Sequence, residues 1–219
     1  GTSEGLTHGM YLQLTRYLEG TPYASRLVSA EAVIAALRGR KTRQEVARIK
    51  KAIALTLDIF DAVTGYLAPG RTEQDVARFI LRQVKAHGVE LAWSEEHCPA
   101  VFTGPDHAGA HFGPTARRIE RGHVLNIDFG VKVDGYCSDL QRTWYIARKG
   151  ETKAPREVQR GFRVVRDAIR LAADAMTPGA TSWTIDAVAR DHIVSSGYPE
   201  YPHALGHQVG RAAHDGGVG

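Results

Sequence analysis

The sequence predicts an α+β fold in which two similar helix pairs pack on an antiparallel sheet. Three observations predict this fold. Helix caps and apolar residues at three- and four-residue spacing mark four helices, the helices recur as pairs after 109 residues, and two strand-like runs flank an Asp-Gly turn. The expected domain is therefore built from two related halves about a pseudo-two-fold axis.

The first helix pair begins with a capping box, Thr42 followed three residues later by Glu45. Pro69-Gly70 ends the first helix, and the second runs from Thr72 to Gly88. The residues expected to face the core recur at helical spacing: Val46, Ile49, Ile53, Leu57, Phe60, Val63 and Leu67 in the first helix, and Val76, Ile80 and Val84 in the second.

The second helix pair opens at Pro155, because proline suits the first helical position. Pro178-Gly179 ends its first helix, and the next runs from Thr181 to Gly197. The expected core residues are Val158, Phe162, Val165, Ile169, Ala172 and Met176, followed by Ile185, Val188, His192 and Ile193.

A shift of 109 residues superimposes the two pairs, laying Pro69-Gly70 on Pro178-Gly179 and Gly88 on Gly197. This indicates a duplication, although proline-glycine followed by threonine is also a common way to end one helix and cap the next. The same shift would place a second hairpin near residues 233–255, beyond Gly219. We therefore expect the closing strands of the sheet to be missing from this chain.

The hairpin of the first half comprises Val124–Val131 and Tyr136–Ile146, joined by Asp134-Gly135, a strong turn signal. Residues 1–40 form a separate piece with two short helical patterns, too small to bury a core of their own. The predicted division is therefore residues 1–40 and a main domain at residues 41–219.

The bulk composition excludes several classes of protein. The net charge of +4 is spread through helical stretches, so nucleic acid is not an expected partner. No apolar run in the sequence is long enough for a membrane span, and residues 1–10 show no secretory signal. Cys98 and Cys137 form no disulfide framework, which favours reduced thiols and a cytoplasmic location.

Two aspartates of the hairpin carry the strongest chemical signal. If the turn is centred between Val133 and Asp134, Asp128 faces Asp139; if Asp134-Gly135 is the two-residue turn, Asp128 faces Gln141 and lies diagonal to Asp139. Both registers put the two carboxylates on one face, at roughly 5 Å or 7–8 Å. Like charges so close recruit a cation or raise one pKa, so a metal site is predicted.

Three histidines follow among glycines: His203, His207 and His214. The four-residue spacing of the first two could indicate a helical zinc motif, but Gly206 and Gly210 argue against a helix. An extended segment with His203, Leu205, His207 and Val209 on one side is expected instead.

Two blocks of this sequence resemble the pita-bread metallopeptidases, a family that includes methionine aminopeptidase, aminopeptidase P and prolidase. The blocks are Asn-Ile-Asp128-Phe-Gly with Gly-Tyr-Cys-Ser-Asp139-Leu-Gln-Arg-Thr-Trp, and His203-Ala-Leu-Gly-His207-Gln-Val-Gly with His214-Asp215. They are most similar to the aminopeptidase P and prolidase branch. The resemblance implies the pita-bread (creatinase/aminopeptidase-like) fold, and it marks residues 1–40 as the remnant of an N-terminal domain and linker.

The resemblance also implies a set of roles. Asp128 would bind one metal, Asp139 would bridge two, and His207 would bind the other, the ions being Mn, Co, Zn or Fe. His111 would lie at the substrate cleft, and His203 and His214 would line the substrate side. The two remaining ligands of the family are glutamates that lie C-terminal to this position. Asp215 stands where many relatives have glutamate.

The activity implied is hydrolysis of the N-terminal bond of short peptides, Xaa-Pro above all, with this fragment itself expected to be inactive. Two alternatives stay open: a metal-independent amidohydrolase of the creatinase type, and a binding module that has lost catalysis. Retention of Asp128 and Asp139 counts against the first alternative. The oligomeric state is left open, a homodimer included.

Overall fold

The computed structural model describes residues 6–105 and 113–215. Its elements, in chain order, are α1 (His8–Leu18), a 3-10 turn (Ala24–Arg26), α2 (Glu31–Gly39), α3 (Arg43–Tyr66), α4 (Glu73–Ala86), β1 (Glu90–Leu91), β2 (Ala100–Thr103), β3 (Val124–Phe129), β4 (Val131–Val133), β5 (Tyr136–Cys137), β6 (Leu140–Tyr145), α5 (Arg156–Ala175) and α6 (Ser182–Ser195). In the described part of the chain, no helix is both long and apolar enough to cross a bilayer.

Both helices of the first pair begin where the sequence predicts, the first at the predicted capping box and the second after Thr72, where the structure shows a capping box of the same kind. The Thr42 hydroxyl accepts from the Glu45 N–H, and the Glu45 carboxylate accepts from the Thr42 N–H. Thr72 and Asp75 make the same exchange at the start of α4. These bonds satisfy donors that a helix N-terminus otherwise leaves unpaired, which is why the two boundaries were predictable.

The buried face of α3 is only partly the predicted one. Ile59, Phe60 and Val63 are buried and pack with the predicted α4 residues, whereas Val46 and Leu57 are exposed. The face is rotated toward Ala52 and Thr56, both fully buried, because these small side chains let the helix approach the strands closely. The prediction of a core position was therefore wrong for Val46 and Leu57.

The predicted hairpin is present, but each of its arms is broken into two strands. Two three-stranded antiparallel sheets result, in the orders β1-β4-β5 and β2-β3-β6. The first arm breaks at Gly130, where an added Cβ would overlap the Ser138 carbonyl. Asp134 and Gly135 both have positive φ, as the two central residues of a type I′ turn require.

The repeat is visible in the helix ends. A shift of 109 residues carries the end of α3 at Tyr66 onto the end of α5 at Ala175, and it carries Glu73–Ala86 onto Ser182–Ser195. Pro155 is the N-cap of α5 rather than its first helical residue. The two helices of the second pair pack on each other through Ala168, Ala172, Ala189 and Ile193.

Most of the apolar stripe predicted for α5 is exposed, which corrects the expectation that it would be core. Phe162, Val165, Ile169 and Met176 are all more than half exposed, and on α6 Val188 is exposed as well. In the first half, the residues equivalent to Val165 and Ile169 are Thr56 and Phe60, which the strands cover. The stripe has the right period for a helix, but the described chain provides no sheet to cover it.

The N-terminal segment has no buried residue in α1, the 3-10 turn or α2. Several of its apolar side chains, including Met10, Tyr17 and Leu37, are exposed. This arrangement agrees with a segment that has no core of its own. The division at residue 40 stays a prediction.

Candidate active site

The pairing of β3 with β6 positions the two predicted aspartates. Asp128 pairs with Gln141 and Phe129 with Leu140, which is the register expected when Asp134-Gly135 forms the turn. Asp139 immediately precedes β6 and lies on the same face as Asp128, diagonal to it. The side chains come within hydrogen-bonding contact of each other.

Burial and the neighbouring carboxyl both act on Asp128. Burial is the larger cause and Asp139 the second, and together they raise the pKa of Asp128 to about 7; a hydrogen bond from Gln141 and the nearby His207 partly offset them. Its Oδ1 atom is buried and has no hydrogen-bond partner among the described residues. A buried carboxylate oxygen without a donor is a position that a proton or a cation would stabilise.

His207 completes the cluster from the irregular segment that follows α6. Its Nε2 atom lies 3.3 Å from Oδ2 of Asp139, and its Nδ1 atom lies 3.2 Å from the carbonyl oxygen of Gln208. The bond to Asp139 is the largest cause of the raised pKa of His207. The imidazole is thus held at both nitrogens, with Nε2 directed at the carboxylates.

The other predicted histidines are placed differently. His214 stacks on His207 with ring centroids 3.8 Å apart. His203 is exposed, and its carbonyl accepts a hydrogen bond from Arg190. The position of His111 lies outside the described residues.

The histidine segment itself is neither helix nor strand over residues 201–215, so the helical zinc motif is excluded there. The expected one-sided extended segment is also wrong, because Leu205 packs against the core of the second helix pair while His203 and His207 are exposed. The segment is instead shaped by turns at its glycines and by hydrogen bonds to side chains, neither of which follows a two-residue period.

Sequence reasoning gave no role to Glu73, which is buried at the first position of α4. Its carboxylate accepts from the N–H of Thr103 at 2.9 Å, and from both the N–H and the hydroxyl of Thr115. These two threonines flank the part of the chain that carries His111. A glutamate at the first position of a helix ordinarily interacts with the helix dipole, so the sequence held no signal of these hydrogen bonds to Thr103 and Thr115.

The three side chains can be compared with the ligands that the metal ions implied by the family prefer. Two carboxylates and an imidazole suit Mn, Co, Zn or Fe, and the unpartnered Oδ1 of Asp128 is available to a cation. Within residues 6–105 and 113–215, however, no three His, Cys, Asp or Glu side chains are grouped closely enough to hold an ion. Asp128, Asp139 and His207 thus offer ligand types that suit such a cation, but within the described residues they do not by themselves enclose one.

The helix pair on an antiparallel sheet, with two aspartates on one face of the sheet and a histidine beside them, is the arrangement that the resemblance to the pita-bread metallopeptidases implies. Residues 47–218 match the family described as "Metallopeptidase family M24". The chain belongs to this family.

Relatives of known sequence agree with this assignment. The chain is 34% identical over 181 residues to an uncharacterized peptidase of Staphylococcus aureus (strain bovine RF122 / ET3-1), covering 82% of this chain and 49% of that protein. It is also 34% identical over 184 residues to an uncharacterized peptidase of Staphylococcus saprophyticus, covering 83% and 50%. The chain thus spans about half the length of the curated relatives it matches.

Solved structures show the same fold. A dipeptidase PepE from Mycobacterium ulcerans has a TM-score of 0.81 and 31% identity, with 97% of this chain and 54% of that chain covered. A prolidase from Pyrococcus furiosus has a TM-score of 0.78 and 26% identity, with 97% and 59% covered. An X-Pro aminopeptidase from Thermotoga maritima MSB8 has a TM-score of 0.77 and 25% identity, with 97% and 57% covered. The pita-bread fold predicted from the sequence is confirmed.

Proposed function

We propose that the complete protein is a metal-dependent peptidase that removes the N-terminal residue of short peptides, with Xaa-Pro bonds as its preferred substrates. The observation that carries the proposal is the placement of Asp128 and Asp139 on one strand face, with a buried oxygen of Asp128 left without a donor. The titles of the similar structures, which name prolidase, X-Pro aminopeptidase and dipeptidase, support the substrate class.

Divalent cations would supply the Lewis acidity that amide hydrolysis needs at neutral pH. Asp128, Asp139 and His207 would hold them, each through an atom that already lies in the cluster. His214, which stacks on His207, is proposed to bind the peptide carbonyl and stabilise the charge that develops on its oxygen. His203 and His111 are proposed as further peptide-binding residues.

The remaining ligands are placed, in this proposal, in the part of the longer protein that this chain does not span. Two ions need more donors than two carboxylates and one imidazole can provide. The family resemblance suggests two glutamates for this role, one of which would also act as general base. A reducing, cytoplasmic setting is proposed because Cys98 and Cys137 are free and buried.

The test uses a version of the protein extended through the second hairpin that the 109-residue repeat predicts. After removal of metal and addition of Mn²⁺ or Co²⁺, we expect it to release the first residue of Xaa-Pro peptides and the Asp139→Asn variant to be inactive. The matched control is Asp134→Asn, which alters an exposed turn carboxylate. Hydrolysis that persists without metal would favour the amidohydrolase alternative, and peptide binding without cleavage would favour the binding module.

A further inference from the structure

Asp215 is a buried carboxylate beside the candidate site that the proposed chemistry does not use. Only 6% of its side chain is exposed, and its carboxylate lies directly against Gly210, where a Cβ would overlap it. Its Oδ1 atom has no hydrogen-bond partner among the described residues. Because an ionised carboxylate is costly to bury, its surroundings must compensate the charge.

The compensating charges come from the end of α2 and the residues just after it. Lys41 Nζ lies 3.7 Å from Oδ2 of Asp215, and Arg38 Nη1 lies 3.8 Å from Oδ1. Lys41 also donates to the side-chain Oε1 of Gln208 at 3.2 Å and to the Arg38 carbonyl at 2.6 Å. Lys41 therefore connects the end of α2 to two residues of the histidine segment.

Two groups of the histidine segment contact the same backbone carbonyl oxygen, that of Gln208. The backbone oxygen of Gln208 accepts the N–H of Asp215 at 3.1 Å and lies 3.2 Å from Nδ1 of His207. A carbonyl can only accept, so Nδ1 carries the proton in this contact and Nε2 is the nitrogen that faces Asp139. Partners that orient a histidine through its second nitrogen fix its tautomer and direction.

We propose that Asp215 and Lys41 are positioning residues for His207: their ion pair locks residues 207–215 in the conformation that directs Nε2 of His207 at the two aspartates. Neither residue contacts Asp128 or Asp139 in any described contact, so both act through Gln208 and the conformation of residues 207–215. The effect on the orientation of His207 depends only on contacts within this chain. Its consequence for metal binding rests on the proposed function.

The direct test is nuclear magnetic resonance of the histidine rings in the 219-residue chain, without metal. The variants are Asp215→Asn and Lys41→Met, and the control is Lys51→Met, which removes the lysine of an exposed pair with Asp134. Wild type and control should show ring-to-ring cross-relaxation between His207 and His214 and a slowly exchanging Asp215 N–H. Both Lys41→Met and Asp215→Asn should lose these signals, and Lys41→Arg should restore them.

Thermal unfolding of the same variants separates positioning from simple stability. If Lys41→Met lowers the melting temperature but leaves the His207 and His214 signals unchanged, the proposal is overturned. If Asp215→Asn does not fold, Lys41→Met and Lys41→Arg decide the matter, because Lys41 is the more exposed partner of the ion pair, with 14% of its side chain exposed against 6% for Asp215.

A second measurement addresses the consequence for metal. In the extended protein, Lys41→Met should weaken Co²⁺ binding about 10-fold or more, which is the usual effect of losing a partner that orients a histidine ligand. Unchanged binding alongside altered ring signals would contradict His207 as a ligand while leaving the positioning intact. In that way the failure of the proposed function is distinguishable from the failure of this inference.

Discussion

Asp128 lies opposite Gln141 in the β3–β6 pairing, which leaves Asp139 diagonal to Asp128 on the same face of the sheet. This offset brings two carboxyls into contact and leaves one buried oxygen of Asp128 without a donor. When no cation is bound, the repulsion between the two carboxylates and the burial of Asp128 lower the stability of the folded state.

Asp128→Asn should stabilise the chain without metal. Because the pKa of Asp128 is raised, the folded state binds its proton more tightly than the unfolded state does. The favourable contribution is present below the unfolded pKa of about 4, and it is lost as pH rises through about 7. Urea unfolding at pH 8 should therefore give Asp128→Asn roughly 1–2 kcal/mol more stability than wild type.

The two forms should converge at low pH, where both side chains are uncharged. The matched control is Asp134→Asn, which should be neutral because that carboxylate is exposed. A loss of stability in Asp128→Asn at pH 8 would contradict the raised pKa.

Gly130→Ala should destabilise the chain, because the new Cβ would overlap the backbone carbonyl of Ser138. Overpacking of this kind costs about 1–3 kcal/mol, and more when backbone must move. Gly65→Ala is the control: it lies in α3 with open space around it and should stabilise by about 0.5–1 kcal/mol. Equal effects at the two glycines, measured by urea unfolding, would refute this account of the strand break.

The repeat supplies a paired test of helix capping. Thr72→Ala removes a capping box and should cost about 1–2 kcal/mol. Thr181→Ala, at the equivalent position of the second half, should cost less, because Thr181 makes no side-chain bond to the helix N–H groups. Chemical denaturation of the two single variants checks the order, and the reverse order would contradict the described caps.

A further pair tests whether the exposed stripe of α5 becomes buried in the longer protein. Phe60→Ala should cost about 3–5 kcal/mol in both the 219-residue and the extended protein, because Phe60 packs edge-on against Phe129. Ile169→Ala, at the equivalent position, should change the stability of the 219-residue chain by less than about 0.5 kcal/mol. In the extended protein it should cost about 2–5 kcal/mol. Equal effects of Ile169→Ala in the two lengths would argue against a second covering sheet.

The sequence predicted those features that local chemistry determines. The capping box at Thr42 and the cap residue Thr72 marked helix starts, and Asp134-Gly135 marked the turn of the hairpin. The sequence left two registers open, and the positive φ of Asp134 and Gly135 in the structure decides between them. The alternation of side chains then put Asp128 and Asp139 on one face in either case.

Features that depend on distant contacts could not be predicted in the same way. The period of α5 indicates an apolar face, but periodicity does not say whether the chain in hand supplies the covering surface. The link between Lys41 and Asp215 joins residues far apart in sequence, and a lysine and an aspartate taken singly carry no sign of their partner. His207, likewise, was separated from His203 and His214 by resemblance rather than by spacing.

In the proposed function, Asp128, Asp139 and His207 form one part of a two-metal site. Calorimetric titration of Mn²⁺ into the metal-free extended protein tests it most directly, with the 219-residue chain and the extended Asp139→Asn variant titrated alongside. We predict two ions per extended chain and much weaker binding in both comparison proteins, because too few ligands remain. Tight binding of two ions by the 219-residue chain, or unchanged binding in Asp139→Asn, would contradict the account.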